Sequence, residues 1–222
     1  MNTYKDTMET RTLTIKAPNI QVAEFEINGT SPLVVHRFSK KMLPDPDQSK
    51  PRNKRKTEDH PTTDDRFNQA RYISAEGWDG FHAGAIRAAM ISACRLANFK
   101  MTLARLSIFV IQDGWDATEP QIPLVKINGK AIKQLDVCRV ETGQPYINAR
   151  PAYHGWSAKI KIRFDADQFM VDDIYNLLTR VGSQVGICEG RPDSKKSAGM
   201  GWGLFDVTKG KLIKKTSIEF SE

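Results

Sequence analysis

A chain of 222 residues, 40% hydrophobic and 27% charged, is long enough to bury a core without disulfide staples and suits one domain carrying insertions. Its formal net charge of +7 matters for anionic partners only where cations cluster, and Cys94, Cys138 and Cys188 are too widely spaced for a disulfide framework or a cysteine-pair zinc site. No run is long and apolar enough to cross a bilayer and the N-terminus shows no signal core, so the expectation is a cytoplasmic protein with no membrane role.

Residues 1–17 are polar, with one alternating stretch, Thr12-Leu13-Thr14-Ile15. Val22–Ile27 alternates apolar and acidic side chains, the period-two pattern of a half-buried strand. Asn28-Gly29 is a turn signal. The apolar segment Ser31–Val35 then gives way to His36, Arg37, Lys40 and Lys41. Residues 43–65 are rich in proline and charge and nearly free of hydrophobes, a composition that cannot bury enough apolar surface to fold alone. They read as a mobile insertion whose basic centre carries Arg52, Lys54, Arg55 and Lys56.

Ile86, Ala89, Met90, Ala93 and Ala97 recur at helical spacing and predict a helix from His82 to Asn98 with a narrow, alanine-rich apolar stripe. Arg87 and Arg95 fall off that stripe. Arg87 sits in the first turns, where a cation opposes the helix dipole; contact with an anion and plain solvent exposure both accommodate it. Arg105–Gln112 reads as a central strand. Residues 113–156 form a second insertion between core strands, with strand-like pieces at Pro123–Ile127 and Asp136–Val140 and a hairpin turn at Asn128-Gly129. Trp156–Phe164 alternates cleanly, Ala158, Ile160, Ile162 and Phe164 against Ser157, Lys159, Lys161 and Arg163. Asp165–Val181 predicts a second helix, with Val171, Ile174, Leu177, Leu178 and Val181 inward and Gly182 as its stop.

Residues 185–207 combine a glycine-rich loop with a closing strand. Glycine at 186, 190, 199, 201 and 203 lets another backbone come close, while Arg191, Lys195 and Lys196 supply cations, a combination suited to a phosphate chain. Trp78 and Trp202 lie among glycines, where an exposed ring can stack on a base. Lys211–Phe220 alternates again, as an outer strand would.

The resulting order is strand, helix, strand, strand, helix, strand: an α+β, ferredoxin-like (split βαβ, RRM-like) core with long insertions, one domain spanning 1–222. The aromatic signature of RNA-recognition motifs is missing from the third core strand, which offers Lys159, Lys161 and Arg163 instead.

With these residues in view the chain resembles the RAMP superfamily, the ferredoxin-like proteins that include backbone subunits of CRISPR effector complexes, and resembles more closely the short RAMP-like proteins of phages and mobile elements. The resemblance is carried by Ser31–Arg37 after the first strand, by the small-residue helix FHAGAIRAAMISA, and by VGICEGRPDSKKSAGMGWGLFDV near the C-terminus. It implies a binder of single-stranded nucleic acid, RNA before DNA. Such a protein grips the sugar-phosphate chain, polymerises along a guide RNA as a homo-oligomer or filament, and meets other effector subunits. The expected contact set is His36, Arg37, Lys40, Lys41, Arg52, Lys54, Arg55, Lys56, Arg87, Arg191, Lys195, Lys196 and Trp202.

Enzymatic chemistry has thinner support. His36, His60, His82 and His154 show no ligand spacing, so neither a metal nor another cofactor is expected. No catalytic residue is assigned. His36, beside Arg37, is the one candidate acid or base for a competing identity, a metal-independent, guide-RNA-processing endoribonuclease. The same residues are also compatible with a phage single-strand annealing protein and with a protein-interaction subunit that has no nucleic-acid role.

Overall fold

The computed structural model describes residues 16–37, 61–139, 145–194 and 199–215. In chain order these form β1 (Ile20–Gly29), β2 (Leu33–Val34), α1 (Thr63–Gln69), β3 (Tyr72–Ile73), β4 (Asp79–His82), α2 (Gly84–Ala93), α3 (Met101–Ser107) and β5 (Ile108–Ile111). There follow β6 (Gly114–Trp115), β7 (Pro123–Lys126), β8 (Ala131–Arg139), β9 (Pro145–Tyr153), β10 (Ser157–Asp165), α4 (Val171–Arg180), a π-helical turn (Val181–Val185) and β11 (Phe205–Lys215). The architecture is mixed α and β, and every strand pairing among the described residues is antiparallel.

The main sheet runs β11-β1-β10-β5. Alternation in β1 and β10 sends Ala23, Phe25, Ile27, Ala158, Ile160, Ile162 and Phe164 to one face, where all are buried. Register pairs Phe25 with Ile160 and Ala23 with Ile162, so the two stripes make one apolar floor. Helices α2 and α4 pack over it through Ile86 and Met90 and through Ile174, Leu177 and Leu178. Full burial of one such aliphatic side chain is worth about 1.5–3 kcal/mol, so this interface supplies much of the fold's cohesion. Two smaller sheets, β2-β9-β8 and β3-β4-β7-β6, are built from segments between the core strands.

Several expectations change. The predicted helix from His82 to Asn98 is shorter, Gly84–Ala93, because His82 belongs to β4 and its Nδ1 accepts the Gly84 amide at 2.8 Å. That bond needs a neutral imidazole, and burial holds the His82 pKa below its ordinary value. The strand read from Arg105 begins only at Ile108. Met101–Ser107 is helical, its good helix formers burying Ala104 and Ser107 on one side.

Asn128-Gly129 is not a hairpin turn. β7 pairs with β4 and β6 while β8 pairs with β9, and Asn128 instead exchanges backbone hydrogen bonds with Ser157 at 2.8 and 2.9 Å. Gly182 does not stop the second helix, which continues through the π-helical turn until Gly186 at φ +71°. A Cβ on Gly182 would lie 2.0 Å from the Phe205 carbonyl oxygen, so this glycine serves the close approach of β11. The insertion expected at 43–65 lies mostly outside the described residues. Its last residues enter α1, which Thr62 opens with a capping box closed by Asp65. Among the described residues no helix is long and apolar enough to cross a membrane.

Candidate nucleic-acid interface

The glycine-rich segment after the π-helical turn is stitched into the fold by its own backbone. Ile187 N donates to Gly203 O at 3.0 Å, Gly203 N to Pro32 O at 2.9 Å, Glu189 N to Val34 O at 3.0 Å and Trp202 N to Gly190 O at 3.2 Å. These bonds tie both arms of the loop to each other and to β2. Its glycines divide into two kinds. A Cβ on Gly203 would meet Ile187 O at 2.0 Å and one on Gly190 would meet the Trp202 ring at 2.2 Å, so these positions exist for chain-on-chain packing. A Cβ on Gly199 or Gly201 would meet no described atom within 4 Å beyond its chain neighbours. The backbone access expected of the whole loop is therefore confined to its tip. Cys188 also holds a positive φ of 61°, unusual for a residue with a Cβ, and burial pushes its thiol pKa up.

Trp202 is half-buried, lying against Gly190, with the Arg150 guanidinium 5.8 Å from its ring centroid. Arg150 is the hub of a second cluster. Its Nε and Nη2 donate to Asp136 Oδ2 at 3.0 and 2.7 Å, and its Nη1 lies 3.5 Å from Glu189. His36 stands beside this pair. Burial lowers its pKa, Glu189 opposes that and Arg150 adds to it, so the imidazole is neutral near pH 7. Arg37 turns elsewhere, its Nη2 3.6 Å from Asp116 and 3.4 Å from Glu119, with the side chain only 12% exposed. The adjacent residues His36 and Arg37 therefore serve two different clusters, and the charge of Arg37 is balanced inside the protein.

The cations of β10 are likewise interleaved with acids. Glu24 lies 3.0 Å from Lys211, whose hydrogen bond holds the Glu24 carboxyl below its usual value, with Lys159 and Lys161 adding to the effect. Lys161 reaches Asp113 at 3.3 Å, and Arg163 stacks over Phe109 at 4.7 Å.

A groove of about 460 Å³ runs along α2 beside the start of the glycine-rich loop. Arg87, Arg95, Arg105 and Arg191 line it, with Asp193 as the one carboxylate among its described lining residues. Arg87 is held by donation from Nε to Ile108 O at 2.8 Å and from Nη2 to Arg105 O, and by stacking 5.0 Å from the Phe109 centroid. It thereby ties α2 to the junction of α3 and β5. Arg191 donates to Cys188 O at 2.8 Å, which fixes its stem within the loop. Arg95 donates to Asp193 Oδ1 at 2.7 Å, and Ser92 Oγ donates to Asp193 Oδ2. A guanidinium carries five N–H donors, more than any one of these contacts engages.

Of the residues singled out from sequence, the fold thus unites Arg87 and Arg191 in one groove and places His36 and Trp202 together around Arg150 and Glu189. Lys40, Lys41, Arg52, Lys54, Arg55, Lys56, Lys195 and Lys196 lie outside the described residues. Arg95, Arg105 and Asp193 were not in the expected set. Arg95 had one signal, its place off the apolar stripe of α2; Asp193 had none, because its partners are nearly a hundred residues away. Among the described residues no group of three or more His, Cys, Asp or Glu side chains could hold a metal ion.

No family model matches the chain, and no curated protein matches it. Among solved structures it is similar to a chain in the cryo-EM structure of the Type III-B Cmr-beta bound to cognate target RNA. The TM-score is 0.46 and the identity 10%, over 88% of this chain and 61% of that one. This chain therefore spans less than two thirds of that neighbour's length.

Proposed function

We propose that this chain is a single ferredoxin-like, RAMP-type domain that binds single-stranded nucleic acid, RNA before DNA, through its phosphates. The observation that carries the reading is the groove along α2, where four arginines face one carboxylate beside a glycine-rich loop. Guanidinium groups match phosphate geometry, and the anchoring of Arg87, Arg95 and Arg191 to backbone carbonyls lowers the entropy lost on binding. The strand order β11-β1-β10-β5, with α2 following β1 and α4 following β10 on one face, supports the ferredoxin-like core.

In this reading Arg105 and Arg191 grip phosphates, Arg87 positions the floor of the groove, and Lys195 and Lys196 extend the cationic track from the loop. His36 and Trp202 belong to the neighbouring cluster that holds the loop to β2 and β9. The hairpin β8–β9 and residues 43–65 are the parts that would meet other copies or other effector subunits along a bound strand. Because phosphate contacts carry no base information, affinity is expected to be weakly sequence-specific and strongly salt-dependent.

The test is the salt dependence of binding to a single-stranded RNA for wild type and for Arg105→Ala/Arg191→Ala. Loss of two phosphate contacts should weaken binding and make the log–log salt slope shallower by about 1.4, at roughly 0.7 per contact on single strands. An unchanged affinity and slope would remove the groove from the interface.

A further inference from the structure

A carboxylate is an unexpected occupant of a phosphate groove, since its charge repels the ligand. Asp193 is nevertheless built in with care. Arg95 Nη2 meets Oδ1 at 2.7 Å and Ser92 Oγ meets Oδ2, one donor coming from the last turn of α2 and the other from just beyond it. The side chain keeps 32% of its surface exposed and lines the groove beside Arg191, two residues earlier in the chain. Burial alone would raise the Asp193 carboxyl; hydrogen bonds from Ser92 and Arg95, with the charges of Arg95 and Arg191, outweigh it and hold the group below its usual value. The groove therefore presents, at neutral pH, an ionised acceptor held by two donors. An ionised carboxylate has about four lone-pair directions and donates nothing, so the two bonds leave acceptor capacity toward the groove.

We propose that Asp193 is the residue by which this groove distinguishes ribose from deoxyribose, its carboxylate accepting the 2′-hydroxyl of a nucleotide whose phosphate lies on Arg191 or Arg105. This rests on the phosphate-binding reading of the same groove. The chemistry is complementary in sign: the 2′-hydroxyl is the donor that RNA has and DNA lacks, and it hangs from the ring carbon next to the one bearing the 3′-phosphate. A cation–acceptor pair side by side thus matches a ribonucleotide's adjacent anion and donor. With a deoxynucleotide the same carboxylate contributes only repulsion, so one residue both favours RNA and disfavours DNA.

The experiment uses the full chain and three labelled strands of equal length: an oligouridylate, its 2′-deoxy counterpart and its 2′-fluoro counterpart, which keeps the ribose pucker but has no 2′-donor. Binding is followed by fluorescence anisotropy. Wild type should bind the ribo strand about tenfold more tightly than either of the others, the effect of one hydrogen bond to a charged group. Asp193→Ala should bring the ribo-to-deoxy ratio close to one while binding the deoxy strand at least as tightly as wild type does. Ser92→Ala, which loosens the mount, should lower the ratio in part. An unchanged ratio in Asp193→Ala overturns the proposal, because a merely repulsive or merely structural carboxylate would shift both strands equally. So does a 2′-fluoro strand that binds wild type as tightly as the ribo strand, a comparison needing no variant. If all three strands bind equally and all weaken in Arg105→Ala/Arg191→Ala, the proposal alone falls; if none binds wild type, the groove reading falls with it.

Discussion

Gly201 and Gly203 offer a controlled comparison of backbone strain and packing. Their φ angles are nearly the same, +71° and +70°, so replacing either with alanine forces a Cβ into the left-handed region at about 1–2 kcal/mol. Their surroundings differ. A Cβ on Gly201 meets no described atom within 4 Å, whereas one on Gly203 would stand 2.0 Å from Ile187 O, 2.9 Å from Ile187 C and 2.9 Å from Ile187 N. Those atoms are main chain and cannot swing aside. They are also fixed by the bonds from Ile187 N to Gly203 O and from Gly203 N to Pro32 O. Relieving the clash means separating the two arms of the loop, at a further cost of about 1–3 kcal/mol typical of overpacking, plus about 1 kcal/mol for each hydrogen bond released. Gly201→Ala should thus lose about 1–2 kcal/mol and Gly203→Ala, with one hydrogen bond released, about 3–6 kcal/mol. Urea denaturation followed by tryptophan fluorescence measures both, provided the m-values agree. Equal losses in the two variants would refute the division of the loop into a stitched base and an open tip.

Arg150→Met should destabilise by about 3 kcal/mol, because it takes both Arg150 donors from the largely buried Asp136 carboxylate, and Arg150→Met/Asp136→Leu should recover part of that loss in the same denaturation assay. Stability should fall as pH drops below about 6.5. His36 and His82 have folded pKa values pushed below that value by burial, so the unfolded chain takes up protons first and stability continues to decline until the folded-state values are reached. In His82→Gln, whose side chain cannot titrate, that slope should be shallower; an unchanged pH profile of Tm would remove His82 from the account. Trp202→Phe should keep its packing on Gly190 and leave RNA affinity within about twofold, since the ring serves the loop's anchorage to Arg150; a tenfold loss would make it a stacking residue worth the ~1–3 kcal/mol of such contacts.

Much of the core was legible because its signals are local. The period-two patterns of β1 and β10 and the helical stripes of α2 and α4 each depend on residues a few places apart, and those faces are buried as the patterns require, except that Ala97 falls beyond the end of α2 and is exposed and Val171 is only partly buried. The unusual status of residues 185–207 was equally plain, since five glycines in so short a span demand a backbone reason. What those glycines are for was not legible. Gly182 meets Phe205, Gly190 meets Trp202 and Gly203 meets Ile187, and only the folded chain shows which backbone comes close to which. Asn128-Gly129 misled for the same reason: a turn dipeptide states that the chain can bend, while strand pairing decided where it goes.

The cations divide along the same line. Sequence by itself determined their number, their clustering in the C-terminal loop and the off-stripe places of Arg87 and Arg95. Tertiary structure decided that Arg37 is turned onto Asp116 and Glu119, that Glu24 and Asp113 lie among the lysines of the open sheet face, and that Arg105 and Arg191 converge on α2. It alone brought Asp193 to Ser92, 101 residues away. A periodic pattern is set by neighbours along the chain, but the charge balance of a surface is set by whichever segments fold against it. The glycine-rich loop could therefore be found in the sequence, whereas the groove it borders exists only in the fold.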